Sequence, residues 1–152
     1  MANYVAKIEP IVLENHHPIG YYKYAEDFFE TAVKCEKNTK FSPVPYYLYC
    51  MSIELVLKSF LLKNNVPYND IKYKFSHDLE KAIKKTQELG LNMLDEDELK
   101  IINRANFYYY EERGFEYSQL KYALRAYKDW PQLEDLEKIS DKLFKSVKPK
   151  IN

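Results

Sequence analysis

Glu54 and Lys58 stand four residues apart with the acid on the N-terminal side, the favoured orientation for an ion pair on a helix. Exposed, such a pair contributes about 0.2 to 0.5 kcal/mol. On a segment as apolar as residues 46–62 it can be half buried, and its other partners then matter more. A structural or dimer-contact pair is the first reading, and ligand binding the alternative. His77 lies between Ser76 and Asp78. Its imidazole could transfer protons near neutral pH, but its neighbours mark a helix start, so Ser76, His77 and Asp78 are read first as a helix entrance. Arg104 and Tyr108 share a helical face with Glu111 or Glu112 one turn on, so a cation, a phenol and an acid could line a groove. Arg113 is a second cation able to hold a phosphate. The candidate ligand- or partner-binding residues are therefore Glu54, Lys58, His77, Asp78, Arg104, Tyr108 and Arg113. His16 and His17 have no third ligand at a recognisable spacing, and Cys35 and Cys50 fall on different expected helices, so neither a metal nor a cofactor is expected.

These residues must be positioned by helices. The 152-residue chain has only three glycines, and its apolar residues recur at helical rather than alternating spacing. A first helix over about 21–37 places Tyr21, Tyr24, Ala25, Phe28, Phe29, Ala32 and Cys35 on one side. A second begins at Ser42-Pro43, a hydroxyl cap followed by a proline with no N–H to lose, and is apolar nearly all round from Tyr46 to Leu62. After a polar connection over 63–75, a third is capped by Ser76, turns Leu79, Ala82, Ile83 and Thr86 inward, and ends at Gly90. A fourth opens with Asp95 and Glu98 in capping-box spacing and carries Leu99, Ile102, Ala105 and Tyr109. Residues 115–128 add a further helix, and a last one carries Leu133, Leu136, Ile139, Leu143 and Val147. The expectation is an all-α, up-and-down bundle of four to five helices over 19–148, preceded by an arm over 1–18.

Composition narrows the function classes. Lys+Arg and Asp+Glu each count 23, so no global field draws the chain to nucleic acid or an anionic membrane, and any such binding is local. No segment has the length of a membrane span or the pattern of a signal peptide, so a cytoplasmic location is expected. The 15 tyrosines offer rings that stack on bases or fill protein interfaces.

The segment Ser52-Ile53-Glu54-Leu55-Val56-Leu57-Lys58-Ser59-Phe60-Leu61-Leu62, followed by Ser76-His77-Asp78-Leu79, resembles the HEPN family of small helical-bundle proteins. Tyr109-Tyr110-Glu111-Glu112-Arg113 is similar to the tyrosine and arginine near the end of a later helix in that family. The resemblance covers roughly residues 45–115. It implies a bundle that often dimerises and works in RNA cleavage, in RNA or nucleotide binding, or beside a nucleotidyltransferase in toxin–antitoxin and defence systems. The ribonucleases of the family carry an arginine followed a few residues later by a histidine. Here no histidine follows Arg104, Arg113 or Arg125, because all three histidines precede them. The resemblance therefore implies a catalytically silent HEPN-like module, a homodimer or a partner-bound protein. An atypical metal-independent endoribonuclease built on His77, Arg104, Tyr108 and Arg113 is the alternative.

Overall fold

The computed structural model describes residues 17–35, 42–113 and 130–152. Residues 1–16 of the arm expected over 1–18, and the helix expected over 115–128, lie outside these residues. The described chain is all-α, with no strand among the described residues.

Helix α1 spans Pro18–Lys34, with Pro18 in the first turn, where a missing N–H costs nothing. It starts earlier than the expected Tyr21 and takes in Pro18, the last residue of the expected arm. Helix α2 spans Val44–Lys63. The Ser42 hydroxyl accepts from the Val44 N–H at 3.3 Å, close to the expected cap, although Pro43 stands just before the helix rather than at its first position. Every residue from Ser52 to Leu61 is buried, including Ser52, Glu54, Lys58 and Ser59.

The connection expected over 63–75 is helical from Tyr68 to Phe75. A single turn, α3 (Tyr68–Asp70), runs directly into a π-helical turn over Ile71–Phe75 that buries Ile71 and Phe75. Two apolar anchors in a polar stretch are too few to register as a helical stripe. Helix α4 spans Leu79–Glu88, and its cap is Asp78 rather than Ser76, since the Asp78 carboxylate accepts from the Lys81 N–H at 3.3 Å. Ser76 instead has φ 44° and ψ −121°. With the Asp78 N–H donating to the Phe75 carbonyl at 2.9 Å, the chain makes a turn of type II′ geometry, with Ser76 where glycine is usual. Gly90, at φ 99°, ends α4 in the left-handed conformation as expected.

Helix α5 spans Glu96–Asn106 and opens with the expected capping box: Asp95 accepts from the Glu98 N–H at 2.8 Å, and Glu98 from the Asp95 N–H at 3.0 Å. It passes into a second π turn over Phe107–Glu111. Helix α6 spans Leu133–Ile151 and carries the expected inner stripe, extended by Phe144 and Ile151.

Helix α2 packs against α1, α4, α5 and α6 and forms the centre of the core. Helix α1 runs antiparallel to α6: Tyr22 and Glu26 face Lys148 and Asn152, and Val33 faces Glu134. Tyr22 anchors that contact through an edge-on ring against Phe144 and a hydroxyl donated to the Phe144 carbonyl at 3.3 Å. Trp130, 2% exposed, stacks on Tyr108 at 4.5 Å and also meets Tyr46 of α2. No described helix is long and apolar enough to cross a membrane.

Candidate functional site

Glu54 is turned inward by the middle of α2 and is 3% exposed. A charge there needs donors, because an unpaired buried carboxylate is strongly disfavoured. Three elements supply them. Lys58, one turn on, brings its ammonium to 2.6 Å of Oε1. Tyr109, from the π turn after α5, donates its hydroxyl to Oε2. His77, from the turn before α4, places Nδ1 at 3.0 Å from Oε2 and 3.1 Å from Oε1. Lys58 also donates to the Ser76 carbonyl, which ties the strained turn to α2.

The electrostatics follow from these contacts. Burial by itself would raise the Glu54 pKa, but the hydrogen bond from His77, the Lys58 charge and the bonds from Lys58 and Tyr109 outweigh it and hold the carboxyl below its usual range. Glu54 is thus an anion, and His77 donates to it through Nδ1–H. Burial, the adjacent Glu54 charge and the bond to it push the Tyr109 phenol far up, so Tyr109 is a fixed donor and a very poor acid. Burial pushes the Cys50 thiol up as well, which leaves it an inert core residue; both Cys35 and Cys50 are free.

Asp78 belongs to an adjoining lock. Asn106, 2% exposed, donates to the Asp78 carboxylate at 2.9 Å and accepts from the Leu79 N–H at 2.9 Å, joining the end of α5 to the start of α4. The structure therefore brings together Glu54, Lys58 and His77, with Asp78 beside them. Arg104 and Arg113 are exposed and take no part in the cluster's hydrogen bonds or ion pairs. Tyr108 does not share an open face with Arg104, because it is buried against Trp130. The residues absent from the candidate set are Tyr109, read as core and as part of the Tyr109–Arg113 segment, and Asn106. A π turn holds an extra residue, so α-helical spacing misplaces the faces of the 107–111 segment. Asn106 gave a weak signal, a helix-disfavoured amide in an inward position.

Chemically, the cluster is largely spent on itself. The Glu54 oxygens receive three donors, Lys58 is held by two acceptors, and the phenol cannot easily lose its proton. Of the four groups, His77 has the most solvent access, with its side chain 55% exposed. Among the described residues no group of three or more His, Cys, Asp or Glu side chains could hold a metal ion. Comparison with family models, with curated proteins and with solved structures returned no match.

Proposed function

We propose that the chain is a catalytically silent, HEPN-like binding and interaction module, working as a homodimer or beside a protein partner such as a nucleotidyltransferase, with RNA or a nucleotide as its ligand class. The observation that carries this reading is the internal saturation of Glu54, Lys58 and Tyr109, which leaves these groups holding helices together rather than facing a substrate. The ligand class draws support from the exposed Tyr73, at 72%, with the Lys72 ammonium 5.2 Å from its ring and Lys74 beside it. Such a ring can stack on a base while Lys72 meets phosphate; Lys74 is paired with Asp70 at 3.2 Å. Self-association draws support from Tyr24, Phe28 and Leu48, which meet around a shallow apolar hollow between α1 and α2, with exposed Val44 one turn before Leu48.

The test is a metal-free RNA cleavage assay on the full chain, with His77→Ala and Arg104→Ala as controls. No cleavage above background is expected, since general acid–base assistance supplies roughly 10²–10⁴-fold and the usual pair is missing. One contact favours the second reading, an endoribonuclease: Glu54 orients His77 much as a catalytic base is oriented by a carboxylate. RNA cleavage that His77→Ala abolishes in a folded protein would replace the first reading with the second.

A further inference from the structure

The seam between α1 and α6 is open along most of its length. Near the start of α1 a groove of about 550 Å³ has Tyr22, Phe29 and Phe144 as its floor. It continues toward the end of α1 over Phe29 and Val33, which is 40% exposed. The three rings pack on one another at 5.3 Å for both Tyr22–Phe144 and Phe29–Phe144, so the floor is formed before anything binds. From Tyr22 to Val33 the groove follows about three helical turns, roughly 17 Å at 1.5 Å per residue.

Its walls are charged unevenly. The α1 wall contributes Glu26 and Glu30, with no basic residue among the lining side chains. On the α6 wall, the half beside Val33 holds Glu134, Glu137 and Asp141 against Lys138 alone. The opposite half brings Lys145 and Lys148, but Lys145 pairs with Asp141 at 2.7 Å. Over the whole groove five acidic residues stand against three basic ones.

We infer that the α1–α6 groove receives a cationic amphipathic helix of a partner protein: three turns long, with an apolar stripe on Tyr22, Phe29, Val33 and Phe144, and flanking Lys or Arg side chains facing Glu30 and Glu134. The apolar floor supplies the contact area and the acidic walls supply selection and steering, the division of labour found when helices bind grooves. This inference rests on the interaction-module reading and names its partner class.

The experiment titrates full-length protein with a fluorescein-labelled 14-residue Leu/Lys amphipathic helix and with the same peptide carrying Glu for Lys. Saturable binding of the Leu/Lys peptide alone is expected, weakened about tenfold in the doubly charge-reversed variant Glu30→Lys/Glu134→Lys and restored toward the Glu peptide. Both substitutions are at exposed sites, so circular dichroism should report an unchanged fold. Val33→Asp should weaken binding without changing the charge preference of the walls. Equal binding of both peptides, or indifference to Glu30→Lys/Glu134→Lys, would overturn the inference. So would a sedimentation result in which Val33→Asp converts a dimer to monomer, because a second copy would then occupy the groove. Failure of the Leu/Lys peptide to bind also overturns the inference but leaves the non-catalytic reading standing, whereas RNA cleavage defeats that reading whatever the peptide does.

Discussion

Glu54 and Lys58 illustrate how far burial changes the meaning of a residue pair. Exposed, they would contribute a few tenths of a kcal/mol; at 3% and 7% exposure each needs the other. Glu54→Ala or Lys58→Ala should each cost about 3 to 5 kcal/mol by leaving a buried charge uncompensated, while the double variant should lose clearly less than the sum. Urea unfolding of the four proteins completes the cycle, and strict additivity would mean that the two do not interact. The pair and its neighbours also set the pH response. Because the folded Glu54 pKa is lowered, its contribution is complete above the ordinary glutamate range near ~4.3 and is lost as pH falls through the lower folded value. Tyr109 has the opposite sign: its folded pKa is raised, so its contribution is complete below ~10 and declines as pH rises beyond that. Tyr22, pushed up to about 12 mainly by burial and then by the nearby Glu26 and Asp141 charges, behaves in the same way. Stability measured against pH should therefore fall above ~10, with each such phenol contributing about 1.4 kcal/mol per pH unit. Tyr109→Phe should flatten that decline and, by removing a donor from Glu54, move the acid-side loss to higher pH.

The strained turn and the two π turns are the elements that bring the cluster together. Ser76 at φ 44° and ψ −121° sits where a side chain is disfavoured by about 1 to 3 kcal/mol. The Lys58 bond to its carbonyl helps to hold it there. Ser76→Gly should stabilise the protein by roughly 1 kcal/mol in urea unfolding, and Ser76→Pro should destabilise it, since proline fixes φ near −65°. No gain from Ser76→Gly would mean that the turn is unstrained. The Asn106 lock gives a second test at this scale. Asn106→Ala should cost about 1 to 3 kcal/mol by stranding the buried Leu79 N–H. Asn106→Asp keeps that acceptor but places a second carboxylate beside Asp78, and thermal unfolding should show it to be at least as costly. Sequence reasoning located α2, the capping box at Asp95, the Gly90 stop and the inner stripe of α6, because caps and apolar periodicity are local signals. It could not place Tyr109 on Glu54 or Asp78 at the α4 cap. The first depends on a π turn that offsets the spacing, and the second on an amide reaching across from another helix.

At the scale of the whole molecule, α2 touches every longer helix, so damage in its middle spreads to α1, α4, α5 and α6 together. The all-α class was legible because glycine is scarce and helical periodicity pervasive, whereas the use of each outer face was not, since no periodicity says what a surface meets. The apolar hollow at Tyr24, Phe28 and Leu48 predicts a homodimer in sedimentation at micromolar concentration, and Tyr24→Arg/Val44→Arg should return it to monomer while leaving the α1–α6 groove intact. A protein that is monomeric before substitution would remove this face from consideration. Trp130 adds an optical consequence. It is the single tryptophan among 15 tyrosines, and it is buried where Tyr108 after α5 and Tyr46 of α2 meet the chain leading into α6. Light absorbed by the phenols can pass to one indole in an apolar setting, so its emission reports on the joint of three helices rather than on the molecule at large. Loosening that joint would redden the signal even while the far-ultraviolet dichroism of the helices stayed unchanged.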